Sequence, residues 1–208
     1  MLISIASVNN RNPRLETYLP TLDDVRGLAQ TCSRRAPTGV RNRALVLLLA
    51  ATGLRISEAL ALRPRDYDAR SGWLRVQNGK GGKQRTVPIG LPEAVEALAA
   101  WLERRKGLPV TAHKPLFCTL RGATVKTAYI RALLPRLAFK AGIEGRIHAH
   151  GLRHFYAATL ATSGCPIVHV QAALGHSNLG TTSRYLVRIA PQEAAEAVVA
   201  AFGRMLAD

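Results

Sequence analysis

A-L-V-L-L-L-A-A-T-G-L-R-I-S-E, residues 44–58, decides how this chain is read. Segment 41–52 is so strongly apolar that it predicts a core helix rather than a surface one. Its longest apolar run, 44–51, is too short to cross a bilayer. Gly53 is the residue that most readily adopts the left-handed conformation closing a helix. A second, short helix follows through S-E-A-L-A-L and ends before Pro64. Arg55 sits directly after the helix stop, where a lone arginine is ordinarily a surface charge. Ser57 and Glu58 raise its standing, because they are expected to cap the next helix and a carboxylate there can hold the guanidinium by an ion pair. An arginine fixed in this way offers its fork to a phosphate in one orientation, which lysine cannot do.

Outward from this stretch the pattern is helical with one interruption. Residues 1–20 lack periodicity and carry Asn9, Asn10, Asn12, Pro13 and Pro20, so they read as an arm or linker. Thr21 with Asp24 resembles a capping box opening a helix to about Cys32. W-L-R-V-Q at 73–77 and Q-R-T-V-P at 84–88 alternate around Gly79, Gly81 and Gly82, which predicts a β-hairpin. Helical periodicity returns over 92–106. It continues over 124–141, where Pro135 implies a kink or two helices. Further helices are expected over 151–163, 166–174 and 191–206, with Pro166 and Pro191 as first helical residues. The fold class is mainly α with a small antiparallel β-sheet (α+β).

The chain has 208 residues, 48% hydrophobic and 20% charged, enough to bury a proper core. Its 29 Lys and Arg against 13 Asp and Glu leave a net charge of +16, the electrostatic footprint of a nucleic-acid binder. Three widely spaced cysteines without a C-x-x-C point to a reduced, cytoplasmic protein. The N-terminus lacks the basic and apolar regions of a signal peptide, and no membrane association is expected.

Five segments fit one chemistry: T-G-L-R-I-S-E at 52–58, G-K-G-G-K at 79–83, H-G-L-R-H at 150–154, L-G-H-S at 174–177 and T-T-S-R-Y at 181–185. They gather Arg55, Lys80, His150, Arg153, His176 and Tyr185, a set of cations around one possible nucleophile. A phosphodiester gains charge in its transition state, so such a set suits cutting a nucleic-acid backbone through a tyrosine without a metal. Lys80 and Lys83 occupy a glycine-rich tip that, alone, would read as a solvated turn; Lys80 is the better general acid because glycines flank it on both sides. His150 and Arg153 share a helix face. His148, His150, His154, Cys165, His169 and His176 invite a zinc reading, but their spacing is poor and carboxylates are scarce. Tyr185 alone would read as a packing residue. As a nucleophile it needs its proton removed, which neighbouring Arg55, Arg153 and a histidine favour.

The order and spacing of these segments resemble the tyrosine recombinase (phage integrase) family, most nearly its Xer-like and integron-like members, from about Thr21 to Ala190. The resemblance implies a catalytic domain over 21–190 that cleaves one DNA strand at a time. Tyr185 would attack the scissile phosphate, giving a 3′-phosphotyrosine and a free 5′-hydroxyl. Arg55 and Arg153 would clamp the non-bridging oxygens, and Lys80 would protonate the 5′ leaving oxygen. His150 would assist Tyr185, and His176 would hydrogen-bond the phosphate. Glu58 matches the supporting acidic position. Lys83, Arg85, His154 and Arg184 are DNA-contact candidates. No metal or other cofactor is expected. The expected partner is double-stranded DNA with paired sites, bound by a homo-tetramer that is monomeric when free. The segment 191–208 is expected to form a helix exchanged between subunits.

Family members usually carry a core-binding domain before this region, whereas here residues 1–20 precede it. The chain is then either a short single-domain recombinase, like those of fimbrial inversion switches, or a fragment. Two rivals stand beside the recombinase reading. One is a type IB topoisomerase-like relaxing enzyme, which uses the same intermediate. The other is a non-catalytic DNA-binding regulator, which would have no use for Tyr185.

Overall fold

The structure, a computed structural model, describes residues 18–77 and 84–175. The chain threads Leu22–Gln30 (α1), Pro37–Thr52 (α2), Ile56–Ala61 (α3) and a 3-10 turn at Pro64–Asp66. Strands Tyr67–Asp68 (β1), Trp73–Val76 (β2) and Arg85–Pro88 (β3) follow. Then come Pro92–Lys106 (α4), Thr127–Lys140 (α5), Ala149–Thr162 (α6) and Ile167–Leu174 (α7).

Helix α2 is the hub, packing against α1, α3, α4 and α6. Leu45, Leu47, Leu48 and Leu49 are all buried, so apolar neighbours surround it on every side, as its sequence requires. Each buried leucine contributes about 1.5–3 kcal/mol, which makes α2 the main source of cohesion. It starts at Pro37, earlier than residue 41, with the proline in the first turn where a missing N–H costs nothing. Its first turns bury a cation, Arg41. The guanidinium donates to Asn42 Oδ1 and the Cys118 carbonyl, and lies 5.2 Å from the centre of the Tyr129 ring.

The expected capping box forms at α1. Thr21 Oγ1 accepts from the Asp24 N–H at 3.1 Å, and Asp24 Oδ2 accepts from the Thr21 N–H at 2.8 Å. The expected hairpin is the β2–β3 pair, antiparallel with Leu74 opposite Val87 and Val76 opposite Arg85. β1 adds a third strand that the sequence reading lacked. Residues 124–141 resolve into one helix rather than two, with Pro135 inside it on the exposed side. Pro166 caps α7 instead of beginning it. No described helix is long and apolar enough to cross a membrane. The helix expected over 191–206 lies outside the described residues.

Candidate active site

Gly53 closes α2 with φ +60°, and a Cβ there would come 2.4 Å from Tyr156 Cδ1, so both backbone and packing require glycine. Two residues on, Arg55 is the N-cap of α3 and the chain has turned out of the core. Glu58, in the first turn of α3, reaches back to its cap. Its Oε2 accepts from the Arg55 N–H at 2.9 Å, and its Oε1 accepts from Arg55 Nη1 at 2.9 Å. The Arg55 side chain keeps 30% of its surface exposed while Glu58 keeps 3%, so the cation faces outward over a buried anchor. Burial opposes ionisation of Glu58, but hydrogen bonds from Arg85 and Arg55 outweigh it and hold the carboxyl below its ordinary pKa.

Arg153 is oriented differently. It lies on α6, is itself buried, and donates from Nη1 to the Gly53 carbonyl and from Nη2 to the Leu174 carbonyl, both at 2.6 Å. The same guanidinium therefore joins the end of α2 to the end of α7. One turn earlier on α6, His150 reaches the surface. Burial first, then the positive charges of Arg153, His148 and Arg55, push its pKa below the ordinary histidine value. The Arg153 bond to the Gly53 carbonyl brings α6 against the turn that carries Arg55, and an imidazole on that helix suits proton transfer.

Two further histidines belong to this helix. His148 is its N-cap, and its Nδ1 accepts from the Gly151 N–H at 3.2 Å. His154 meets His150 edge-on, with ring centres 4.3 Å apart. Among the described residues, no three His, Cys, Asp or Glu side chains gather to hold a metal ion.

Arg85 departs from its reading as a DNA contact. It is inward-facing, with 11% of its side chain exposed. Nη1 and Nη2 donate to the two Glu58 oxygens at 3.1 and 2.8 Å, and Nε donates to the Ala173 carbonyl at 3.1 Å. A signal for this was available. Arg85 and Val87 are two apart on a strand and so share a face, and that face is the buried one. Lys80, Lys83, His176, Arg184 and Tyr185 lie outside the described residues.

Residues 20–190 match the sequence profile described as the phage integrase family. The chain is 36% identical over 183 residues to "Tyrosine recombinase XerC" of Pelotomaculum thermopropionicum, covering 84% of this chain and 59% of the relative. It is 38% identical over 175 residues to "Tyrosine recombinase XerD" of Mycobacterium leprae, covering 79% and 55%. Among solved structures it is similar to the XerA recombinase, with 29% identity and a TM-score of 0.73 over 86% of this chain and 61% of that one. It is also similar to the XerH site-specific recombinase bound to palindromic difH substrate in a post-cleavage complex, with 29% identity and a TM-score of 0.72 over 86% and 52%. The chain thus spans only part of the length of these relatives. The helical fold with its small antiparallel sheet is that of tyrosine recombinase catalytic domains.

Proposed function

The chain belongs to the phage integrase family, and from that premise we propose that it is the catalytic part of a site-specific DNA recombinase. Tyr185 Oη attacks the scissile phosphorus, the bond to the 5′ oxygen breaks, and the products are a 3′-phosphotyrosine and a 5′-hydroxyl. Arg55 and Arg153 neutralise the non-bridging oxygens, and Lys80 supplies the proton to the leaving oxygen. His150 assists the transfer from Tyr185, and His176 hydrogen-bonds the phosphate. Glu58 holds Arg55. Lys83, His154 and Arg184 contact the DNA around the site. Residues 1–20 act as an arm and 21–190 as the catalytic domain, while 191–208 form a helix exchanged between subunits. The protein acts as a homo-tetramer on paired DNA sites, is monomeric when free, and works in the cytoplasm at the nucleoid.

The observation that carries this reading is the anchoring of Arg55 by buried Glu58 and of Arg153 by the Gly53 carbonyl two residues before Arg55, with His150 one turn before Arg153 on α6. The net charge of +16 supports a polyanionic substrate. The test is covalent trapping on a pool of nicked duplexes of random sequence, where the short fragment released at the nick prevents religation. The wild-type chain is expected to give an SDS-resistant adduct, and Tyr185→Phe is expected to bind the same duplexes without one. An adduct from the Phe variant would displace the nucleophile. No adduct from either would favour the regulator, and relaxation of supercoiled DNA without strand exchange would favour the topoisomerase.

A further inference from the structure

Among the described residues, Arg85 bonds the Arg55 anchor to a second element leading into the site. Its fork takes both oxygens of Glu58 on α3, and its Nε takes the Ala173 carbonyl at the end of α7. It belongs to β3, the strand that directly follows the hairpin segment carrying Lys80. Its guanidinium also lies flat against Gly175. A Cβ on that residue, whose φ is +64°, would come 2.8 Å from Nη1 and 3.0 Å from Cζ. The residue after Gly175 is His176. Glycine at 175 therefore keeps room for the guanidinium where the chain leaves α7.

We propose that Arg85 is a positioning residue for the cleavage site: from β3 it locks the Glu58–Arg55 pair and the end of α7 into one register. The inference rests on the recombinase reading, because the elements it joins are those assigned to the phosphate. Chemistry favours arginine here. One planar fork satisfies a carboxylate with two parallel bonds while a third N–H, set at a fixed angle, reaches a carbonyl; a lysine ammonium has the charge without that geometry. Glu58 is buried, so loss of Arg85 leaves its charge to Arg55 alone. The charged groups around Glu58 are Arg55 on α3 and Arg85 on β3. Arg63, Arg65 and Asp66 of the 3-10 turn line the cavity beside it, and α7 presents the Ala173 carbonyl to Arg85. Asp66 already accepts from the Arg63 N–H and from Gln77 Nε2, which leaves the two arginines as the main partners of Glu58.

Two measurements on the whole chain test this. The first needs no DNA: the side-chain carboxyl carbon of Glu58 is followed by NMR against pH. Its midpoint is expected to lie below the ordinary carboxylate range in the wild type and to rise clearly in Arg85→Met. If Met at this position prevents folding, Arg85→Lys serves, with a smaller rise. An unchanged midpoint in the folded variant would overturn the proposal, since Arg55 alone would then hold the anchor. The second uses nicked duplexes recovered by trapping. Arg85→Lys is expected to slow adduct formation by up to about 10-fold, no more than loss of the Glu58 charge itself, with affinity for random duplex unchanged. The same change in a Glu58→Gln background is expected to cost much less, because Arg85 acts through Glu58. Additive losses, or a wild-type rate in Arg85→Lys, would contradict it. If no duplex yields an adduct with the wild type, the recombinase reading fails while the titration still decides the role of Arg85.

Discussion

The two arginines at the heart of the site are held by opposite means. At the α3–β3 corner, Arg55 is gripped by a buried carboxylate that Arg85 grips from the other side. At the α6 corner, Arg153 is gripped by two main-chain carbonyls, those of Gly53 and Leu174. The first arrangement is an ion-pair chain whose strength depends on one titratable group. The second uses carbonyl dipoles, which no accessible pH alters. Arg153 also joins two helix ends and so belongs to the architecture, whereas Arg55 is partly exposed and its side chain bonds only its own helix's Glu58 among the described residues. The comparison teaches that orienting a phosphate-binding cation can be separate from holding the fold, as at Arg55, or the same act, as at Arg153.

The largest expected effect follows from that difference. Arg153→Ala deprives two carbonyls of their donor in the interior, at about 1–3 kcal/mol each. Cleavage should fall by about 10²–10³-fold, as when one donor to a developing anion is lost. Urea unfolding and adduct kinetics check the two effects. Arg55→Ala should give the second with a smaller share of the first, because Arg85 still holds Glu58, and equal destabilisation by both variants would erase the distinction.

Next in size is Glu58→Gln, which converts charge-assisted bonds into neutral ones and should slow cleavage about 10-fold. Because the folded pKa of Glu58 is lowered, its stabilisation is present above the unfolded carboxylate value and is lost as pH falls through the folded one. Acid unfolding should therefore show a shallower slope in the Gln variant than in the wild type. The Arg153 corner supplies no such slope, and an unchanged acid limb in Glu58→Gln would remove the titratable half of the comparison.

His150 sharpens the boundary between the corners. Its folded pKa is lowered, so on acidification the unfolded chain takes up the proton first. Stability should drop as pH falls from the ordinary histidine value towards the lowered one, and His150→Gln should flatten that segment of the profile. The smallest effect is expected far from both corners. Arg26 Nη2 meets Glu93 Oε1 at 2.8 Å between α1 and α4, both partly exposed. Arg26→Ala should cost under about 1 kcal/mol by urea unfolding.

Much of this was legible in the sequence, for physical reasons that differ by residue. The start of α1, the apolar α2 and the left-handed stop at Gly53 follow from short-range rules, and all three are present, with α2 beginning one turn earlier than expected. Glu58 could be paired with Arg55 because three residues on a helix start bring them together. The anchoring of Arg153 was not legible. Its partners are backbone carbonyls 100 and 21 residues away, and carbonyls leave no mark on composition. β1 escaped because two residues carry no alternation. Arg85 was misread because a basic residue beside a lysine-rich tip suggests a solvated charge. The alternation with Val87 already pointed it inward.

The measurement that bears most directly on the account is the identity of the bond between protein and DNA. After trapping on nicked duplex, the adduct is digested with nuclease and protease and the peptides are read by mass spectrometry. The account expects one peptide carrying a nucleotide through its 3′ phosphate on the Tyr185 oxygen, with a 5′-hydroxyl on the released strand. A nucleotide on any other residue, or a 5′-linked adduct, would contradict it.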